Sequence, residues 1–321
     1  MKKAKMICSC IVLSLVLAAC GQSTEEKHAS RKIIQDVQEV IEIDAQEDSE
    51  KEEVEIEEIE EIEEKEIEEK EEIEEEVKEE PKEQPKEEIT SELLSNEKKG
   101  WSFKRNSEHR PIIAYTDFDV REYGGYYLGN TGEKVIYLTF DNGYENGYTP
   151  TILDTLKEND VKAIFFVTKS YIKYEPELVK RMKDEGHLVG NHSVTHPSFP
   201  EISDEQVAEE ILDTESYMEE MTGYKMDTFF RPPMGEYSER TLKLTNDLGY
   251  KSIFWSLTYK DWDVKNQLGK QYAYDHVINN IHPGAIPLLH AVSSSNTEAL
   301  DDIIKEIKKE GYSFGSLYDL K

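Results

Sequence analysis

From Lys134 onward the chain alternates short β-rich apolar runs with amphipathic segments, and few folds accommodate that rhythm. Residues 135–140, 163–167, 188–191, 228–230, 252–255 and 285–289 read as strands, and 312–314 as a seventh. Residues 149–158, 175–185, 203–221, 238–248, 272–280 and 297–309 read as helices between them. Gly186, Gly249 and Gly311 stand where three of these helices would stop. Ser203 followed by Gln206 fits a capping box. Alternation of this kind predicts an α/β fold with a parallel sheet and helices outside it. Six or seven units in about 190 residues point to a closed or nearly closed barrel, with a doubly wound sheet as the alternative. Residues 100–133 are less regular and rich in aromatic side chains, and are expected to pack on the barrel as an extension.

The segment before this domain has another character. The chain carries 69 acidic and 38 basic residues for a net charge of −31. About 33 of the acids and about 11 of the bases fall in residues 21–99. There Val54, Ile56, Ile59, Ile62, Ile67, Ile73 and Val77 recur at irregular steps that keep no heptad. Like charges oppose a helix, the apolar groups are too few to offset chain ordering, and Pro81 and Pro85 interrupt any helix that starts. A self-repelling spacer is expected over residues 20–99. No basic face is visible, so no sequence-independent nucleic-acid partner is expected.

At the N-terminus Lys2, Lys3 and Lys5 precede an apolar run and then Leu17-Ala18-Ala19-Cys20-Gly21, the order of an export signal over residues 1–19. The cysteine after Leu-Ala-Ala resembles a bacterial lipobox, which implies lipidation of Cys20 and a lipid anchor at the outer face of the cell membrane. A plain secretory signal is the alternative. Cys8, Cys10 and Cys20 are the only cysteines, so the domain carries no disulfide.

Polar residues cluster just after the apolar runs. Asp141 and Asn142 follow the first, His192 and His196 the third, Arg231 the fourth, Asp261 and Trp262 the fifth, and His290 the sixth. Strand ends of a parallel barrel open on one face, and that face carries the chemistry. Two imidazoles four residues apart share one face of a helical turn and can hold one cation, although such a pair also occurs as two histidines that simply face solvent. Asn191 and Pro197 confine the pair to a turn at the strand end. A buried Arg231 facing Asp141 would hold that carboxylate ionised, the alternative being a salt bridge within its own loop. Asp261 beside His290 would fix the tautomer of the imidazole and raise its proton affinity.

Five ordered segments resemble the motifs of the polysaccharide deacetylase (carbohydrate esterase 4) family. They are Thr139-Phe140-Asp141-Asn142-Gly143, His192-Ser193-Val194-Thr195-His196, Arg231-Pro232-Pro233-Met234-Gly235, Asp261-Trp262 and Leu288-Leu289-His290. The resemblance covers nearly all of residues 134–321 and implies a distorted, incomplete (β/α) barrel of about seven strands. Most members carry Asp where this chain has Asn142, and many carry a further Asp where it has Thr258. The run from Thr139 to Thr149, with Tyr123-Gly124-Gly125-Tyr126-Tyr127-Leu128-Gly129 and Phe254-Trp255-Ser256-Leu257, resembles the subgroup that deacetylates muramic acid on the way to muramic δ-lactam in spore-cortex peptidoglycan.

The resemblance implies a hydrolase that removes N-acetyl groups from peptidoglycan glycan strands. It implies a divalent cation, zinc being the expected one, on His192 and His196 with Asn142 in the third position. Asp141 is then the base, Arg231 its tether, His290 the acid and Asp261 its orienting partner. Trp262, Met234, Leu288 and Tyr144 are expected to contact the sugar. A general N-acetylglucosamine deacetylase and a catalytically weak glycan-binding homologue are the other readings.

Overall fold

The chain divides into two units, Met1–Lys86 and Glu87–Lys321. In the computed structural model, residues 93–105 and 108–320 are described, all in the second unit. The signal segment, Cys20 and nearly all of the acidic spacer lie outside the described residues. Among those described, no helix is long and apolar enough to cross a membrane.

Seven strands form one sheet: β1 (Gly125–Tyr126), β2 (Thr139–Asn142), β3 (Ile164–Val167), β4 (Leu188–Asn191), β5 (Phe229–Phe230), β6 (Lys251–Ile253) and β7 (Leu288–His290). Their order is β7-β2-β3-β4-β5-β6-β1, and every pairing is parallel. β2 and β3 are buried along their whole length, as strands covered on both faces must be. The sheet curls until its margins meet. Beyond β6, Leu257 bridges to Pro287 just before β7, and Leu128 beyond β1 bridges to Ala285. The result is the distorted, incomplete (β/α) barrel expected.

Seven helices follow the strands: α1 (Thr149–Glu158), α2 (Lys169–Tyr174), α3 (Pro176–Asp184), α4 (Asp204–Thr222), α5 (Glu239–Asp247), α6 (Lys270–Ile278) and α7 (Ser294–Lys309). Ser203 and Gln206 form the capping box of α4, each side chain taking the other's backbone N–H. Gly186, Gly249 and Gly311 adopt left-handed backbone after α3, α5 and α7, where a side chain would be strained. Ile152, Leu153, Leu156, Val179, Met218, Ala299, Ile303 and Ile307 turn from the helices onto Phe140, Phe165, Val167 and Val189 of the sheet to form the main core. At Gly190 in β4 a Cβ would come within 2.8 Å of the Phe166 ring and the Phe229 carbonyl, so close strand packing requires glycine.

Several expectations are corrected, the first being that residues 135–140 form one strand: Val135–Ile136 and Thr139–Asn142 belong to different sheets. Residues 312–314 do not join the sheet: Ser313–Phe314 pairs instead with Val135–Ile136 in a separate two-stranded ribbon. The seventh strand is β1, drawn from the aromatic extension, whose two residues are too few to carry a period-two signal. Helix α2 leaves no periodic signal in the sequence: six residues are too short for a helical pattern, and it is started by Thr168, whose hydroxyl accepts the Tyr171 N–H. The boundary expected between residues 99 and 100 falls inside a strand, since Lys99–Gly100 pairs antiparallel with Glu236–Tyr237. Trp101 anchors this extension by stacking on Phe254 at 4.5 Å and donating its indole N–H to the Trp255 carbonyl at 2.8 Å.

Candidate active site

A cavity of about 740 Å³ opens at the C-terminal ends of the strands. Asp141, His192, His196, Met234, Trp262, Leu288, His290 and Tyr144 all line it. Asp141 is the third residue of β2 and pairs across the sheet with His290, the last residue of β7. Register alone therefore sets a carboxylate and an imidazole on neighbouring strand ends.

Arg231, directly after β5, is fully buried beneath this floor. It donates to Asp141 Oδ1 at 2.8 Å, to the Thr139 hydroxyl at 2.9 Å and to the Ile253 carbonyl at 3.1 Å. Its guanidinium lies 4.2 Å above the Phe166 ring, which accommodates the cation where water is absent. Burial pushes the Asp141 carboxyl up. The charges of Arg231, His192 and His290 outweigh it and hold Asp141 below its ordinary value. With Oδ1 committed to Arg231, Oδ2 faces the cavity side, 3.6 Å from His192 Nε2.

The histidine pair does not sit on a helical turn. Ser193 and His196 both take left-handed backbone, with φ of 71° and 58°, and the loop they bend brings the rings to 4.7 Å between centroids. Glu210 of α4 holds this loop by accepting the N–H groups of Val194 and Thr195, each at 2.8 Å. His192 Nδ1 bonds the Arg231 carbonyl at 2.9 Å, an acceptor, so Nδ1 carries the proton and Nε2 keeps its lone pair. Burial lowers the His192 pKa to about 4 and also lowers that of His196, so both rings are neutral near pH 7.

Asn142 is fully buried. Its Nδ2 donates to the Thr149 hydroxyl at 3.3 Å, while its Oδ1 is buried without a partner. Among the described residues no three His, Cys, Asp or Glu side chains gather as a ligand cluster. His192 and His196, two neutral imidazoles on the cavity wall, and the unpartnered amide oxygen of Asn142, the residue next to Asp141, are nevertheless donor types that suit a divalent cation of intermediate softness.

On the other wall, His290 Nδ1 lies 2.7 Å from Asp261 Oδ1. Asp261 Oδ2 accepts the His290 backbone N–H at 2.8 Å and Asn296 Nδ2 at 2.6 Å. Burial opposes charge on His290, but the hydrogen bond and charge of Asp261, with that of Asp141, prevail and raise its proton affinity. Asn296 carries no signal of its own in the sequence beyond its place; it lies in the first turn of α7, within the polar run Ser293-Ser294-Ser295-Asn296 that begins three residues after His290. With Thr258 in place of an acid, the sequence leaves Asp261 to orient His290 alone. Asn296 supplies the second tie, bonding both Asp261 and, at 3.3 Å, the His290 carbonyl.

Trp262, Met234 and Tyr144 are about half exposed at 51%, 55% and 53%, so apolar surface rims the opening, while Leu288 is buried in its wall. Met234 holds φ of 58° within the Arg231–Gly235 turn. Trp262 lies 5.6 Å from the His290 ring, tilted by 56°.

The family description "Polysaccharide deacetylase" matches residues 128–253. The chain is 49% identical over 232 residues to the peptidoglycan-N-acetylmuramic acid deacetylase PdaA of Bacillus subtilis, covering 72% of this chain and 88% of that one. It is 32% identical over 209 residues to a peptidoglycan-N-acetylglucosamine deacetylase of Bacillus cereus, covering 64% of this chain and 74% of the relative. The solved structure of Bacillus subtilis PdaA, a family 4 carbohydrate esterase, superposes with a TM-score of 0.69 at 50% identity, over 71% of this chain and 98% of that one. With barrel, motif order and site geometry in agreement, the chain belongs to the polysaccharide deacetylase family of family 4 carbohydrate esterases.

Proposed function

We propose that this protein hydrolyses the N-acetyl group of N-acetylmuramic acid in peptidoglycan, acting on residues that have lost their stem peptide. The observation that carries this is the opposition of two tuned pairs across one cavity: Asp141 tied to Arg231, and His290 tied to Asp261. The muramic acid substrate is supported by the 49% identity to a relative named for it. The loss of the stem peptide and a later closure to muramic δ-lactam in spore cortex rest on the subgroup resemblance of the 139–149 run.

The reaction adds water to the acetamide carbonyl and breaks the C–N bond, giving acetate and a free amine. Asp141, ionised by Arg231, accepts the proton of the attacking water on Oδ2. His290 carries a proton on Nε2, because Nδ1–H is spent on Asp261, and delivers it to the departing nitrogen. His192, His196 and Asn142 would hold a divalent cation, which when bound supplies Lewis-acid polarisation of the carbonyl and stabilises negative charge on its oxygen. A backbone N–H of the Arg231–Gly235 turn is a second donor to that oxygen. Leu288, Met234 and Trp262 enclose the acetyl methyl and exclude water from it, and Tyr144 offers its ring to the sugar. In the subgroup reading, the freed amine then attacks the lactyl carboxyl of the same sugar, with loss of water.

The protein would be exported, held at the outer face of the membrane through lipid on Cys20, and carried into the wall by its acidic spacer. Acetate release tests the reading: glycan strands stripped of stem peptides should be deacetylated and intact ones should not. Equal release from both would favour an N-acetylglucosamine deacetylase, the activity named for relatives such as that of Bacillus cereus.

A further inference from the structure

An amide can present either its oxygen or its nitrogen to a neighbour, and the two orientations have nearly the same shape. Asn142 serves a cation only oxygen-first. A chain of hydrogen bonds decides which way it faces. Asn142 Nδ2 is 3.3 Å from Thr149 Oγ1, which is 3.1 Å from Tyr171 Oη, which is 3.1 Å from Glu145 Oε2. The other carboxylate oxygen, Oε1, accepts the Thr149 backbone N–H at 3.2 Å.

An ionised carboxylate only accepts, so the Tyr171 O–H must donate to Glu145. A phenol has one proton, so Tyr171 then accepts from the Thr149 hydroxyl. That hydroxyl, its proton spent, accepts from Asn142 Nδ2. Asn142 Oδ1 is the atom left over, and it is the buried oxygen without a partner. We propose that Glu145 is a positioning residue that, through Tyr171 and Thr149, fixes the Asn142 amide oxygen-first for the cation held with His192 and His196. This rests on the metal-dependent deacetylase reading above.

Glu145 also acts as a helix cap, because Tyr148, which precedes α1, makes no side-chain cap and Glu145 takes the Thr149 N–H. The two roles separate when residue 142 changes. In Glu145→Gln the backbone N–H of Thr149 still needs an acceptor and takes the amide oxygen. The new NH₂ then faces Tyr171 and reverses every bond in the chain, turning Asn142 nitrogen-first. With Asn142→Asp both side-chain atoms that can face Thr149 are oxygens that only accept. The chain must then run from Tyr171 through Thr149 to the introduced carboxylate, and Glu145 confronts a Tyr171 lone pair that Gln would satisfy.

The test is calorimetric titration of the metal-free full-length protein with zinc ion alone, in wild type, Glu145→Gln, Tyr171→Phe, Asn142→Asp and the variant carrying both Asn142→Asp and Glu145→Gln. Glu145→Gln should weaken zinc about tenfold or more in the otherwise wild-type background, the range for a lost outer-sphere partner. In the Asn142→Asp background the same substitution should leave affinity unchanged or raise it. Tyr171→Phe keeps the helix cap and should weaken zinc with Asn142 in place, which guards against a folding defect in Glu145→Gln. Equal weakening in both backgrounds, or none in the first, overturns the relay. Zinc binding by no variant overturns the relay together with the cation site. Zinc binding in the expected pattern without acetate release would sink the deacetylase reading and leave the relay standing.

Discussion

Replacing Asp261 by Asn changes one functional atom and should disable the acid. Two donors converge on Asp261 Oδ2, the His290 backbone N–H and Asn296 Nδ2, and neither can become an acceptor without breaking buried geometry. In Asp261→Asn the amide oxygen must therefore occupy that position, and the NH₂ must face His290 Nδ1. His290 then accepts at Nδ1 and carries its single proton on Nε2 as a neutral ring, which is a very weak acid. A general acid contributes about 10²–10⁴ in rate, and a wrong-tautomer substitution in a comparable His–Asp pair falls at the upper end. Acetate release should fall by about 10³-fold or more, while the melting temperature changes little because every backbone donor keeps an acceptor. In whatever activity remains, the basic limb of the rate profile should move to lower pH, because the interaction that raises the His290 pKa is gone. Activity within a few-fold of wild type, with the basic limb in place, would refute the assignment of His290 as acid.

Other outcomes follow from the same geometry. Asp141→Asn should abolish acetate release and also cost about 3–5 kcal/mol, because the fully buried Arg231 loses its counter-charge; thermal unfolding and acetate assay measure the two effects separately. Gly190→Ala should destabilise the domain by about 1–3 kcal/mol in denaturant unfolding, since the added methyl presses on the Phe166 ring that supports Arg231. His187 is buried with its pKa lowered to about 4, first by burial and then by Lys162, and its Nδ1 accepts the Ala163 N–H at 3.2 Å. The folded protein therefore binds fewer protons here than the unfolded chain. This contribution is complete above about pH 6.5 and is lost as pH falls toward 4, amounting to about 3 kcal/mol. His187→Gln, which keeps an acceptor and does not titrate, should show a shallower loss of stability over that window.

Much of this arrangement was legible in the sequence because it lives on long, periodic elements and on residues tied to strand ends. β3 is a continuous apolar run, β4 is marked by Leu188-Val189, and β2 is marked by the apolar run at 135–140 although only Thr139 and Phe140 of it enter that strand; the polar residues at and beyond the strand ends reach one mouth because parallel strands all end on the same side. The failures were local or long-range. A two-residue strand such as β1 owes its existence to Ser252 and Ile253 across the sheet, more than 100 residues away, and carries no pattern of its own. The turn that joins His192 to His196 depends on left-handed backbone at Ser193 and His196, which their residue types do not predict. Asn296 reads as a polar residue at a helix start until Asp261 is placed beside it. The same holds for the Glu145–Tyr171–Thr149 chain, whose members join a loop, α2 and α1.

The most direct test of the central claim is mass spectrometry of spore-type peptidoglycan after incubation with the wild-type protein and with Asp141→Asn. The wild type should leave muramic acid residues that lack stem peptides without their acetyl groups, or closed to the lactam, and the variant should leave every sugar intact. Acetyl loss confined to glucosamine, or equal loss with both proteins, would contradict it.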